Sequence, residues 1–207
     1  MSTFYERHIL PGLLCQACAA GPVMKLRKKL VPRAKGAVLE LGIGGGLNFS
    51  FYDPANVAHV AGVDPSTELR ARAEKARRPD GLPVTLHDAR GEALPFEAGS
   101  FDCVVCTFTL CSVQSPEKTL GEARRVLKPG GRLLFCEHGL APDGKVARWQ
   151  RRLEPLWKRL TGGCHLTRAA AGSIEAAGFG IEEQESMYLA RTPRFAGWVQ
   201  VGSATRC

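Results

Sequence analysis

The sequence predicts an α/β protein: one mostly parallel seven-stranded sheet with helices on both faces and an antiparallel last strand. Three observations carry this expectation. Short apolar runs alternate with segments of helical spacing along most of the chain, the trace that βαβ units leave. The first such run, Ala37-Val38-Leu39-Glu40-Leu41, passes straight into a glycine cluster, where a strand can turn sharply. Phe101-Asp102-Cys103-Val104-Val105-Cys106-Thr107 is almost continuously apolar, as in a strand covered on both faces.

Residues 1–36 are helical in composition and lie outside this pattern, so they are expected to form a helical cap over the ligand crevice. Residues 37–207 form one domain. Its first strand, 37–41, leads through the glycine loop into a helix. The second strand is 59–63, followed by a helix over 67–77 rich in Ala, Arg and Glu. A short third strand falls at 84–87 and the fourth at 101–107. Helical spacing over 116–127 stops at Lys128-Pro129-Gly130-Gly131, which ends a helix. The fifth strand is 132–137. A helical insertion at about 143–163 precedes a helix at 168–177. The final strands are 181–187 and 195–201, antiparallel and separated by Thr192-Pro193.

The 207 residues, 44% of them hydrophobic, suffice for one core. No run of about eighteen apolar residues predicts a spanning helix, and the N-terminus lacks the layout of a secretory signal. Eight cysteines are scattered without a disulfide framework, which fits a reduced, cytoplasmic protein. The net charge is +8, concentrated around Lys25, Arg27, Lys28 and Lys29 and again around Arg148, Arg151, Arg152, Lys158 and Arg159. A solvated basic face is the plain reading. No surface aromatics interleave with these charges, so a nucleic-acid partner is not expected. The apolar stretch Ile9-Leu10-Pro11-Gly12-Leu13-Leu14 beside them leaves peripheral membrane contact through the N-terminal basic helix as a partner class. The pattern is silent on oligomeric state.

Glu40-Leu41-Gly42-Ile43-Gly44-Gly45-Gly46-Leu47 would bring the backbone close to a nucleotide-like ligand, with Asp64 at the tip of the second strand placed to accept from ribose hydroxyls. Leu47 stands where the dinucleotide pattern needs its third glycine, which disfavours NAD.

With these residues the chain resembles the class I S-adenosylmethionine-dependent methyltransferases. Their first motif is matched by Glu40, Gly42, Gly44 and Gly46, and their second by Gly62-Val63-Asp64-Pro65-Ser66. The third is matched by Ala93-Leu94-Pro95-Phe96 through Ser100-Phe101-Asp102, and the fourth by Arg125-Val126-Leu127-Lys128-Pro129-Gly130-Gly131. The resemblance implies a Rossmann-like methyltransferase fold and S-adenosyl-L-methionine as cofactor, leaving as S-adenosyl-L-homocysteine. It places loop 42–46 at the aminocarboxypropyl end, Asp64 on the ribose, and Pro65 and Ser66 near the adenine. Glu40, Gly91, Glu92 and Thr107 complete the expected cofactor set. Arg90-Gly91-Glu92 stands where the family commonly has Asp-Ala or Ser-Ala, so the adenine contact would fall to the Gly91 amide.

A narrower resemblance concerns the acceptor. Cys106-Thr107-Phe108-Thr109-Leu110-Cys111-Ser112-Val113, Glu137-His138, Trp149-Gln150, Leu153-Glu154-Pro155-Leu156-Trp157 and Gly163-Cys164-His165-Leu166-Thr167-Arg168 are similar to segments of the alkyl thiol methyltransferases of animals. This implies S-methylation of a small or lipophilic thiol. A phosphatidylethanolamine N-methyltransferase is the alternative, and a non-catalytic S-adenosylmethionine-binding protein is the reading from another class. A thiol must react as thiolate, so His138, at the tip of the fifth strand, is the candidate catalytic base; a strand-end cap is its structural alternative. Cys111, Cys164 and Arg168 are expected to border the substrate pocket, with Arg168 either structural or holding an anionic group. Cys15-x-x-Cys18 has a redox-like spacing but lies in a helical segment without a second pair, so no metal is expected. Cys103 and Cys106 read as core, and Trp149 and Trp157 as packing for the insertion.

Overall fold

The structure, a computed structural model, describes residues 4–206. Residues 1–3 of the expected cap and Cys207 lie outside it. The strands are β1 (Gly36–Leu41), β2 (Val57–Val63), β3 (Val84–His87), β4 (Phe101–Thr107), β5 (Leu127–His138), β6 (Phe179–Tyr188) and β7 (Trp198–Arg206). They form one sheet in the order β3-β2-β1-β4-β5-β7-β6. The first five pair in parallel, and β7 runs antiparallel between β5 and β6. The order reverses between β1 and β4, and the crevice beyond their C-terminal ends is where such sheets take ligands.

Side chains alternate across the sheet with period two. Leu39, Leu41, Val104 and Phe135 face one side, against Leu120, Ala123 and Val126 of α4 (Pro116–Val126) and Ile174 of α6 (Ala170–Ala176). Val38, Val60, Val105 and Leu134 face the other, against Leu26 and Leu30 of α2 (Gly21–Leu30). Before α2 come a π-helical turn at Tyr5–Ile9 and α1 (Leu10–Cys18); Pro11 and Pro22 sit in the first turns of α1 and α2, where a missing N–H costs nothing.

Several boundaries differ from expectation. No α-helix follows the glycine loop; turns and a 3₁₀ segment at Phe49–Phe51 connect to β2, with Pro54 close behind. Helix α3 (Thr67–Glu74) is shorter than 67–77. Lys128-Pro129-Gly130-Gly131 does not merely stop a helix. It forms an irregular part of β5, in which Leu127 pairs with Phe101 and Arg132 next pairs with Cys103, and Gly130 takes φ +71°. Proline is tolerated in a sheet at such an irregularity. The insertion is one helix, α5 (Gly144–Leu160), with Pro155 inside it. The expected strand at 195–201 is divided: Pro193 precedes a short helical turn, α7 (Arg194–Gly197), and extended structure begins only at Trp198.

Gln150 fastens α5 to the sheet. Its side chain is 1% exposed, accepts from the Ala141 amide at 2.9 Å and donates to the carbonyls of Gly139 at 2.9 Å and Phe195 at 3.0 Å. Gln150→Ala leaves these buried groups unsatisfied and should cost about 2–3 kcal/mol in urea unfolding. A loss below about 0.5 kcal/mol, the level of an ordinary surface change, would contradict this role.

Candidate active site

A cavity of about 610 Å³ opens at the C-terminal ends of β1, β2 and β4. Its floor is the glycine loop. Gly42 has φ +64°, and a Cβ there would lie 2.3 Å from Thr109 Oγ1. Gly44 has φ +52°, and a Cβ there would meet only the Gly42 carbonyl oxygen at 3.9 Å, projecting into otherwise open space. A side chain would thus fill the cradle that these glycines leave. Asp64 secures the loop: its carboxylate accepts from the Gly44 amide at 3.0 Å and the Ser66 amide at 2.9 Å. Burial pushes the Asp64 pKa up, opposed by those two amides. Ser66 Oγ caps α3 by accepting from Leu69 N at 3.2 Å.

Beneath the loop lies a buried polar network. Glu40 accepts from Asn48 Nδ2 at 2.9 Å and from the Tyr52 hydroxyl at 2.7 Å. Arg27 Nη1 donates to Asn48 Oδ1 at 2.8 Å and to Thr107 Oγ1 at 2.6 Å, and Asn48 Nδ2 donates to Thr107 Oγ1 at 3.1 Å. Arg27 is 4% exposed, lines the cavity and lies 5.6 Å from the centre of the Phe108 ring; among the described residues its Nε has no hydrogen-bond partner. A buried cation bordering a cavity suits an anionic ligand group through its charge.

The far wall is the loop after β4. Phe108 holds φ +56°, uncommon for a residue with a side chain, and its amide donates to Cys136 O at 2.8 Å. Glu137, fully buried, accepts from the amides of Thr109 at 2.7 Å and Cys111 at 3.4 Å, and so folds this loop from below. Arg168 donates to the Leu110 carbonyl and borders the cavity. From above, Leu10, Pro11, Leu14, Cys15 and Cys18 of α1 line the same space.

Of the expected cofactor residues, Gly42, Gly44, Asp64, Pro65, Ser66, Gly91, Glu92 and Thr107 line this cavity. Glu40 and Gly46 do not. Glu40 faces the sheet side occupied by Asn48 and Tyr52, and Gly46 turns toward Phe49, whose ring a Cβ would approach to 2.7 Å. Glu92 is already engaged, accepting from the amides of Gln114 at 2.7 Å and Ser115 at 3.1 Å. Among the acceptor-side residues, only Arg168 borders the cavity. His138, Cys111 and Cys164 do not reach its wall: His138 Nε2 lies 2.9 Å from Cys164 Sγ, and its ring stacks on Phe108, which does line the cavity. His138 thus stands behind Phe108 rather than on the cavity lining itself. Cys15 and Cys18 are half-buried free thiols, while Cys103 and Cys106 are buried in the core as expected.

The residue that the sequence reading passed over is Arg27, counted there as surface charge. Its signal was present: the buried residues of α2 are Val23, Leu26, Arg27 and Leu30, the i, i+3, i+4, i+7 stripe of an inward helix face.

The fit to S-adenosylmethionine rests on three observations: the open cradle at Gly44, the Asp64 carboxylate beside it and the Arg27 cation on the cavity lining. Comparison with known proteins agrees. Residues 39–135 match the family model described as "Methyltransferase domain". The chain is 43% identical over 167 residues to the thiol S-methyltransferase TMT1B of Rattus norvegicus, covering 80% of this chain and 66% of that protein. It is 41% identical over 175 residues to the Homo sapiens counterpart, covering 81% and 68%. The chain thus spans about two thirds of the length of these relatives. A phosphatidylethanolamine N-methyltransferase of Cereibacter sphaeroides is 34% identical over 120 residues, 57% of this chain and 58% of that protein. In fold, the chain matches the crystal structure of a methyltransferase-like protein from Bacillus halodurans C-125 with a TM-score of 0.70 at 17% identity, covering 88% of this chain and 97% of that one.

Burial raises the Glu40 pKa from 4.5 to about 7, against the Tyr52 and Asn48 hydrogen bonds and the Arg27 charge. The folded state therefore binds the Glu40 proton more tightly than the unfolded chain does, and stability falls as pH rises from about 4.5 to 7, then levels off. Glu40→Gln should remove up to roughly 3 kcal/mol of that decline. Unfolding free energies of both proteins between pH 5 and 7.5 test this: curves that stay parallel would contradict it.

Proposed function

Because the chain belongs to the methyltransferase-domain family of S-adenosylmethionine-dependent enzymes, we propose that it S-methylates small or lipophilic thiols in the cavity closed by its N-terminal helices. The observation that carries this reading is the single cavity that joins the glycine cradle to an apolar roof. Leu10, Pro11 and Leu14 of α1 and Phe108 and Val113 of the loop after β4 face the same space as Gly44 and Asp64. The names of the relatives, thiol S-methyltransferases, support the acceptor class.

Loop 42–46 and Asp64 hold the cofactor in this reading, with the aminocarboxypropyl end on the glycines and the carboxylate drawn to Arg27. Pro65, Ser66 and the Gly91 amide border the adenine. When bound, S-adenosylmethionine supplies an electrophilic methyl group to be displaced in line. The chain's own task is alignment and exclusion of water. The helical segments before β1 serve as the cap, with α1 over the cradle. Only a few per cent of an ordinary thiol is ionised near neutrality. In this reading Arg168 and Lys158, which both line the cavity, favour the thiolate by their charge.

The outer face of this roof is also apolar. Ile9, Leu13, Trp149, Leu156 and Leu160 are exposed, and the Tyr5 hydroxyl donates to the Leu160 carbonyl at 2.7 Å, joining the N-terminal segment to the end of α5. No helix among the described residues is long and apolar enough to cross a membrane. This face, flanked by Arg148, Arg151, Arg152 and Arg159, suits shallow contact with an anionic lipid surface, from which a lipophilic thiol can enter.

Labelled S-adenosylmethionine, offered to alkyl and aryl thiols and to phosphatidylethanolamine vesicles, tests the acceptor. The expected result is thiol methylation without lipid, faster for lipophilic thiols when anionic vesicles are added. Asp64→Ala should raise the cofactor KM roughly tenfold or more, the loss of charge-assisted hydrogen bonds. Transfer confined to the lipid amine would replace the thiol reading, and an unchanged cofactor KM would remove Asp64 from the site.

A further inference from the structure

Three soft donors converge where nothing in the methyl-transfer reading requires them. Cys111 Sγ, His138 Nε2 and Cys164 Sγ all lie within 4.8 Å of one another. They come from three separate segments: the loop after β4, the tip of β5 and the loop after α5. Both cysteines are buried, 3% and 8% exposed, and both are free thiols. We propose that Cys111, His138 and Cys164 form a zinc(II) site that fastens these three segments together beside the cavity.

The donor set argues for the ion. Two thiols and an imidazole select zinc or a comparably soft metal and reject calcium and magnesium, which need oxygen ligands. Zn–S bonds of about 2.3 Å and Zn–N bonds of about 2.0–2.1 Å in a tetrahedron put neighbouring donors about 3.4–3.8 Å apart. His138 Nε2 and Cys164 Sγ are now 2.9 Å apart, in hydrogen-bond contact, so that pair must open by about half an ångström, while the widest pair, within 4.8 Å, must close by up to about 1 Å. No fourth His, Cys, Asp or Glu joins the group among the described residues. Two protein thiolates and one imidazole leave one position for water, an arrangement known for Cys₂His zinc. Each bound thiol gives up its proton to solvent as its sulfur coordinates the metal.

The surrounding shell is already built. Glu137 accepts from the amides of Thr109 and Cys111 and fixes the first loop. The His165 amide donates to Cys111 O at 2.8 Å, tying the segment that carries Cys164 to the one that carries Cys111. Glu154 holds the far side of that segment, accepting from the Thr167 amide at 2.9 Å and its hydroxyl at 2.6 Å. Ligands held by such outer contacts are preorganised for a metal. The inference does not depend on which acceptor is methylated, since its readout is metal content.

The test is zinc measured by mass spectrometry in protein purified under reducing conditions and reconstituted with zinc alone. Cobalt(II) replacement follows, for its thiolate charge-transfer absorption. Stoichiometric zinc and that absorption are expected in the full chain. Cys164→Ser and His138→Gln, with folding checked by circular dichroism, should each lower zinc affinity more than about tenfold, since even outer-shell changes cost that much. Three results would overturn the site: a folded parent chain that takes up no zinc, zinc retained in a Cys111→Ser/Cys164→Ser double variant, or a Cys111–Cys164 disulfide on peptide mapping in place of metal. If a single variant fails to fold, the parent chain's zinc content and cobalt spectrum still decide.

Discussion

The site depends on one buried cation. Arg27 belongs to a helix outside the sheet, yet its guanidinium reaches under the glycine loop and donates to Asn48 and Thr107. Through Asn48 it is linked to Glu40 and Tyr52. A guanidinium taken out of water is costly unless it is partnered, and Nη1 finds two acceptors here although Nε finds none among the described residues. Folding the N-terminal segment elsewhere would leave Asn48 and Thr107 buried with fewer partners and Glu40 without a nearby positive charge. Helix α2 and the glycine loop therefore specify one another.

A second buried acid does for the loop after β4 what Glu40 does for the glycine loop. Glu137 takes the amides of Thr109 and Cys111 and supports Phe108 in a conformation that residues with side chains seldom adopt. These two carboxylates stand near the ends of β1 and β5, each beneath a loop that faces the cavity. Strand ends in this sheet thus position loops rather than present reacting groups themselves.

This division explains what the sequence disclosed. Strands β3 and β4 were legible to the residue, because their apolar runs have clear ends. The antiparallel direction of the last strand was legible too, although neither of its ends was: the apolar run at 195–201 hid a helical turn set by Pro193, and the strand continues to Arg206. The glycine loop and Asp64 could be read because a φ requirement and a strand-tip acid leave local marks in sequence. The placement of His138, Cys111 and Cys164 could not, since each faces partners about 26 or more residues away, and only the fold decides whether a strand-tip histidine meets the crevice or a neighbouring thiol. Arg27 is the intermediate case. The helical stripe marked it as inward, while its neighbours Lys25, Lys28 and Lys29 made it look like surface charge.

The central claim is that Arg27 and Asn48 act as one unit to preorganise the cofactor site. A double-mutant cycle with Arg27→Met and Asn48→Ala, read by calorimetric affinity for S-adenosyl-L-homocysteine, measures that coupling directly. The account predicts weakened binding in each single variant and a coupling energy above about 1 kcal/mol, as for residues sharing one hydrogen-bond network. Effects that add within about 0.5 kcal/mol, or an Arg27→Met chain that binds as tightly as the parent, would contradict it.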